Sequence, residues 1–105
     1  MPKRRERSAD MPESADRAFH ALSSRARVEV LRMLLSNPDQ TRPQIVDGTG
    51  VGAPTVRLAL EELERLGYLE VSVPPGERHG RRVTYSVLAD KLRADHAALT
   101  AYIYG

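Results

Sequence analysis

The chain has 105 residues, 41% of them hydrophobic, a length that suits one compact domain and excludes two. It has no cysteine, which excludes disulfides, thiolate metal sites and cysteine nucleophiles, and no apolar run approaches the length of a membrane span. The net charge of +2, from 16 basic and 14 acidic residues, is weak support for a nucleic-acid partner, so the distribution of charge matters more than its sum.

The first nine residues are charged and short of apolar side chains, with Lys3, Arg4, Arg5 and Arg7 close together. We predict a disordered basic arm over residues 1–9 and a single domain over residues 10–105. The arm fits phosphate contacts on DNA and an unbound charged tail equally well. Because no apolar segment follows these charges, they are not a secretory signal, and we expect a cytoplasmic protein without membrane contact.

Two helices are predicted at the start of the domain. Asp10, with Glu13 three residues later, is typical of a helix N-cap. A second helix follows the serines at 23–24 and continues to about Ser36. Its apolar residues form one broad face that we expect to be buried, namely Val28, Val30, Leu31, Leu34 and Leu35.

A helix-turn-helix is predicted next. Thr41 and Gln44 have the spacing of a capping box, so a third helix begins there and is expected to end at Gly48. After a glycine-containing turn, a longer amphipathic helix occupies about residues 53–66, and Gly67 terminates it.

A β-hairpin and a last helix complete the domain. Residues 68–73 and 83–87 alternate between apolar and polar side chains and predict two paired strands, joined by a basic loop over residues 74–82. A final helix begins near Asp90. The predicted fold is mainly α with a β-hairpin, in the order α-α-α-α-β-β-α, which is the order of a winged helix-turn-helix.

Three segments carry a resemblance to a known family. They are residues 21–31 (ALSSRARVEVL), residues 55–63 (TVRLALEEL) followed by Gly-Tyr-Leu at 67–69, and residues 80–85 (GRRVTY). Together with the order of elements over residues 15–104, they resemble ArsR-type winged-helix repressors, and MarR-type and PadR-type regulators share much of the pattern. The resemblance implies a homodimeric regulator that binds double-stranded DNA.

The chain departs from the family in two places. Arg57 and Ala59 stand where family members often carry serine and histidine, so sequence preference should differ. The metal-sensing members use a cysteine pair or paired carboxylates and histidines on the last helix. Asp90, Asp95 and His96 do not reproduce that arrangement, and we expect no metal and no cofactor.

Candidate DNA contacts lie in the helix-turn-helix and in the loop over residues 74–82, which we call the wing. They are Gln44, Ala53, Pro54, Thr55, Arg57, Leu58, Glu61, Arg78, His79, Arg81 and Arg82. Arg57 has the reach for two hydrogen bonds to a guanine edge, and Thr55 suits a phosphate or a thymine methyl. The alternatives are a surface helix with an Arg57–Glu61 pair, and a basic loop that contacts only solvent.

A dimer interface is predicted on the first and last helices. Its candidate residues are Ala18, Phe19, Leu22, Leu92, His96, Leu99 and Ile103. We expect His96 to be buried or interfacial rather than a metal ligand. The predicted helix over about residues 53–66 would be the recognition helix, and the two recognition helices of a dimer would then enter successive major grooves, which predicts a partly palindromic operator.

We therefore predict a DNA-binding transcriptional regulator that represses by blocking polymerase. Two alternatives stay open: a phage or plasmid architectural or replication factor, and a protein-interaction module that uses the acidic row Glu61, Glu62 and Glu64. No nucleophile elbow, metal-spaced cluster or phosphate-binding glycine loop with a lysine is present, so we predict no catalytic residue and no enzyme activity. The sequence indicates neither an effector nor an operator.

Overall fold

The computed structural model describes residues 10–105, and the predicted basic arm over residues 1–9 lies outside them. Within the described part, five helices and a two-stranded antiparallel hairpin follow one another in the predicted order, so the predicted fold is confirmed. The elements are α1 (Glu13–Leu22), α2 (Arg25–Ser36), α3 (Arg42–Thr49), α4 (Ala53–Arg65), β1 (Leu69–Val71), β2 (Tyr85–Val87) and α5 (Ala89–Tyr104). None of these helices combines the length and the apolarity that crossing a membrane requires.

The first helix begins later than predicted. Its N-cap is Pro12, in an extended conformation with φ −63° and ψ 152°, and Asp10 lies in a turn before it. Proline has no N–H to leave unsatisfied and its fixed φ is compatible with an N-cap, so the helix starts directly after the ring. Asp10 is therefore too early in the chain to cap α1.

The second helix is capped by Ser24, whose Oγ accepts a hydrogen bond from the backbone N–H of Arg27 at 3.3 Å. Its buried residues are Val30, Leu31 and Leu34. The predicted buried face is too broad, because Val28 and Leu35 are 38% and 48% exposed. These two positions lie seven residues apart, on one side of α2, and Leu35 borders a depression that Leu22 and Leu92 also line.

The core lies between α2, α3, α4 and the hairpin. Tyr68, Leu34, Ile45 and Leu63 are among its largest fully buried side chains. The hairpin pairs Leu69 with Val87, and an isolated bridge between Gln40 and Tyr85 ties it to the segment before α3. The strands are shorter than predicted, although a hydrogen bond of 3.0 Å from the Ser72 N–H to the Thr84 carbonyl extends the ladder by one step. The helix α4 therefore contributes its buried side to the core and also contacts the first strand of the hairpin.

The turn between α3 and α4 depends on a glycine, but not on the one predicted. The third helix continues through Gly48 to Thr49, and Gly50 is its C-cap, with φ +73°. A Cβ at Gly48 would lie 2.8 Å from the terminal methyl carbon of Met33, so its small size allows α3 to pack closely on α2. Gly50 supplies the left-handed conformation that ends the helix.

The predicted capping box is present at the start of α3. Thr41 Oγ1 accepts from the Gln44 N–H at 3.4 Å, and Gln44 Oε1 accepts from the Thr41 N–H at 2.8 Å. We expect Thr41→Ala to lower the free energy of unfolding by about 1 kcal/mol, measured by urea denaturation. The control is Thr100→Ala on the exposed side of α5, which should leave stability unchanged or slightly higher. Equal stability of the two variants would contradict a stabilising role for the box.

Candidate nucleic-acid interface

The first turns of α4 present a free outer face. Ala53, Pro54, Thr55, Arg57 and Leu58 are all exposed. The opposite side of the helix is anchored in the core, where its buried residues are Val56, Ala59, Leu60 and Leu63. The predicted recognition residues therefore lie together on one accessible surface, and the helix that carries them is rigidly held.

The acidic half of α4 is compensated by arginines. Glu61 Oε2 lies 3.1 Å from Arg57 Nη1, which is the pair that the alternative reading of α4 predicted. Glu62 pairs with Arg65, and that hydrogen bond is the main reason why the pKa of Glu62 is lowered. Glu64 is also paired, as described next. The acidic row that favoured a protein-interaction module is thus largely neutralised within the chain.

Arg78 links the wing to the recognition helix. Its Nη1 and Nη2 donate to the two carboxylate oxygens of Glu64 at 2.9 and 2.6 Å, and its Nε donates to the Val73 carbonyl at 2.8 Å. Both side chains are about one quarter exposed. The hydrogen bonds from Arg78 lower the pKa of Glu64, and Glu64 raises the pKa of Arg78 in return. Because this guanidinium already binds Glu64 and the Val73 carbonyl, we interpret Arg78 as a residue that positions the wing against α4.

The exposed basic side chains of the wing are Arg81, Arg82 and His79. Within residues 10–105, neither arginine has an acidic partner. Gly80 precedes them with φ +71°, and a turn hydrogen bond of 3.1 Å joins the Arg81 N–H to the Arg78 carbonyl. Arg78 therefore lies at the start of a tight turn that ends at Arg81, and Arg82 follows directly.

A cleft of about 490 Å³ separates the wing from the helix-turn-helix. The start of α3, the outer side of α4 and the wing form its walls. Its lining residues are Thr41, Arg42, Pro43, Arg57, Leu60, Glu61, Glu64, Arg78, Arg81, Arg82, Val83 and Tyr85. The fold thus brings several of the predicted DNA-contacting residues to one place.

Two residues of this surface, Arg42 and Glu64, were not predicted as site residues. One predicted residue, Gln44, already uses part of its side chain in the capping box. Arg42, exposed at the first position of α3, borders the cleft, and its place directly after the capping threonine was the available signal. Glu64 holds the wing, which no spacing in the sequence indicated. Gln44 is exposed next to the cleft, with its carbonyl oxygen used by the capping box.

The predicted dimer residues fall into two groups. Ala18 is fully buried and Leu92 is 9% exposed, because α1 packs against α5 within the chain. Ala18 is therefore an interior residue, whereas Leu92 also lines the apolar depression described next. Phe19 and Ile103 are 50% and 64% exposed. Leu99 is half-buried, whereas Leu22 and His96 line a shallow apolar depression of about 250 Å³.

His96 is exposed in the single chain, so it is not a core histidine, and its place in a dimer interface stays a prediction. On α5, His96 follows the buried Leu92 by four positions, so it lies at the border of the packed side and lines the apolar depression together with Leu92. In the part of the chain that the structure describes, no group of three or more histidine, cysteine, aspartate or glutamate side chains is arranged to hold a metal ion.

A buried polar network joins α1 and α5 to the end of the recognition helix. Arg17 donates from Nε and Nη2 to the Asp95 carboxylate at 3.0 and 3.3 Å, and the Tyr68 hydroxyl donates to it at 2.7 Å. Lys91 adds hydrogen bonds of 3.2 and 3.1 Å to the carbonyls of Leu66 and Gly67, where α4 ends. The sequence offered one signal, since Asp95 follows Leu92 by three positions on the same helical face.

Both acidic groups of the network have shifted pKa values. Burial favours a higher pKa for Asp95, but the hydrogen bonds from Arg17 and Tyr68 outweigh it and leave the pKa below its ordinary value. Burial, and then the bond to Asp95, raise the pKa of Tyr68. Asp95 is therefore an ionised acceptor and Tyr68 a protonated donor at neutral pH.

The structure is similar to solved structures of transcriptional regulators. An ArsR family transcriptional regulator, RHA00566, is 23% identical with a TM-score of 0.66, covering 92% of this chain and 94% of that one. The homodimeric winged helix-turn-helix DNA-binding domain of Mb0332 from Mycobacterium bovis is 21% identical, with a TM-score of 0.64 and coverages of 97% and 90%. The transcriptional repressor BigR from Xylella fastidiosa is 18% identical, with a TM-score of 0.60 and coverages of 83% and 84%.

No protein-family model matches the chain, and no curated protein matches it. The structural likenesses establish the fold. They confirm, for the fold, the resemblance to ArsR-type winged-helix proteins that the sequence indicates.

Proposed function

We propose that this protein is a sequence-specific, DNA-binding transcriptional regulator that acts in the cytoplasm as a homodimer and without enzymatic activity. One observation carries the proposal: the free outer face of α4 and the unpaired arginines of the wing border the same cleft. A helix-turn-helix places its second helix in the major groove, and a basic loop beside that helix is suited to the phosphate backbone. The homodimeric DNA-binding domain of Mb0332 has the same fold, which supports the assignment.

In this proposal, the N-terminal turns of α4 enter the major groove. Arg57 leaves its pair with Glu61 and donates to a guanine edge. Such a bidentate contact discriminates between bases by about 1–3 kcal/mol, whereas an exposed ion pair costs only about 0.2–1 kcal/mol to break. Thr55 contacts a phosphate or a thymine methyl. The side chains of Ala53, Pro54 and Leu58 shape the approach.

The wing supplies contacts that do not depend on base sequence. Arg81 and Arg82 bind phosphates or enter a narrow minor groove, with His79 beside them. The link between Arg78 and Glu64 fixes the wing against α4, so groove and backbone contacts form together.

The dimer forms through apolar side chains of α1 and α5, chiefly the exposed Phe19 and Ile103 and the half-buried Leu99. Related by a two-fold axis, two recognition helices would meet half-sites about one helical turn apart on a partly palindromic operator. Repression by occlusion of polymerase is the simplest mode for such a module, and BigR is described as a repressor.

DNA binding is tested by selecting genomic fragments on the immobilised protein and measuring their affinity by fluorescence anisotropy. We expect enrichment of partly palindromic sites, and Arg57→Ala should reduce the preference for the selected site over a scrambled one by roughly tenfold. Arg25→Ala, exposed on α2 and outside the cleft, is the control. Failure to retain any DNA at low salt would refute the proposal and favour a protein-interaction module.

The dimer is tested by sedimentation at micromolar concentration. The wild type should sediment as a dimer, and Ile103→Glu should sediment as a monomer because a charge cannot be buried in an apolar interface. Leu58→Glu is a matched control, since Leu58 is a similarly exposed apolar residue on α4. A monomeric wild type at this concentration would contradict the interface.

A further inference from the structure

The cleft between the wing and the helix-turn-helix contains more positive charge than it neutralises. Five arginines and two glutamates line it. The carboxylates of Glu61 and Glu64 are bound by Arg57 and Arg78, so these four charges cancel in pairs. Across residues 10–105, the remaining cleft arginines have no ion pair; they are Arg42, Arg81 and Arg82.

Three unpaired guanidinium groups around one open space raise its electrostatic potential. Leu60 and Tyr85, which are buried, contribute low-dielectric material to the wall and reduce the screening of these charges on that side. A volume of about 490 Å³ is many times that of a water molecule, so the space is open to a sizeable polar ligand. The cleft is therefore complementary to an anion with more than one charge.

The positions of the three arginines indicate what kind of anion fits. Arg42 belongs to the start of α3, whereas Arg81 and Arg82 belong to the wing, so the charges come from separate walls. A planar guanidinium binds a phosphate through two parallel N–H donors. A ligand with phosphates in succession would meet these groups in turn, and a DNA strand carries one phosphate per about 3.4 Å of helix axis.

We propose that this cleft binds consecutive phosphate groups of one DNA strand, with Arg42 as a phosphate-binding residue beside Arg81 and Arg82. The DNA origin of the phosphates rests on the proposed function, whereas the capacity to bind them does not. The backbone of the bound strand then runs between α3 and the wing. This path determines which side of α4 faces the groove.

The first test measures DNA affinity against salt concentration for Arg42→Gln. Loss of one phosphate contact lowers the slope of log K against log salt by about 0.9 and weakens binding about fivefold at physiological salt. Arg32→Gln, exposed on α2 and outside the cleft, should match the wild type. Both arginines are exposed, so neither change should alter the unfolding midpoint. If Arg42→Gln keeps the wild-type slope, the assignment of Arg42 is overturned.

The second test separates the cleft from the DNA proposal. Inorganic tripolyphosphate is titrated into labelled protein while the arginine Nε–H resonances are followed. We expect shifts at Arg42, Arg81 and Arg82 and none at Arg32. If these shifts occur but no DNA is retained, the cleft is a phosphate site for another ligand and the proposed function fails. If tripolyphosphate leaves Arg42 unchanged, the inference fails even when DNA binds.

Discussion

Replacing Asp95 by alanine is expected to destabilise the protein by about 3 kcal/mol, the range for removing one partner of a buried ionic network. The change leaves the fully buried Tyr68 hydroxyl without its acceptor and Arg17 without its carboxylate. A chain of this size has only about 5–15 kcal/mol of stability in total. The unfolding midpoint in urea should fall accordingly, measured by circular dichroism.

The control for this prediction lies on the same helix. Asp90→Ala removes a carboxylate that is fully exposed and pairs with Arg93 at 3.1 Å. An exposed pair of this kind contributes between 0 and about 1 kcal/mol, so this variant should stay close to the wild type. If the two aspartate variants are equally stable, the network does not hold α1, α5 and Tyr68 together.

The Asp95 contribution should also depend on pH. The folded-state pKa of this carboxyl is lower than its ordinary value of 3.8, so its ionised form stabilises the folded state. That stabilisation is fully present above the unfolded-state pKa and is lost as the pH falls through the folded-state pKa. The difference in stability between wild type and Asp95→Asn should therefore be constant from pH 7 to about pH 5 and shrink below about pH 4. A difference that persists unchanged in acid would contradict the linkage.

The second large effect is expected in DNA binding. Arg81→Ala/Arg82→Ala removes two phosphate contacts, which lowers the salt slope by about 2 and weakens binding about thirtyfold at physiological salt. Anisotropy titrations between low and physiological salt measure both quantities. An unchanged slope would show that the wing tip does not touch the backbone.

Arg78→Gln tests whether Arg78 positions the wing rather than binding a phosphate. Because its guanidinium is already bound by Glu64 and the Val73 carbonyl, we expect weaker binding with an unaltered salt slope. The loss then comes from a wing that is no longer held against α4. A slope reduced by about 1, as for a single wing-tip arginine, would instead place Arg78 on a phosphate, as its sequence position first suggested.

Much of the fold follows from local patterns in the sequence. The alternation of residues 68–73 and 83–87 predicts the hairpin, and the spacing of Val56, Leu60 and Leu63 predicts α4 with its buried face. Such patterns are readable because helix and strand periods place side chains on a face without reference to the rest of the chain. The boundaries of elements are predicted less accurately: α3 continues past Gly48 to Thr49, because the left-handed residue that ends it is Gly50.

The sequence by itself determined that this is a winged helix-turn-helix with a basic wing, because capping, periodicity and turn chemistry act between residues a few positions apart. Only the tertiary structure decided which charges are free. The partners of Arg78 and Asp95 include residues 14 and 78 positions away along the chain, and no local rule predicts such pairs. The candidate interface therefore shifts from all the arginines of the wing to the unpaired ones, with Arg42 added from α3.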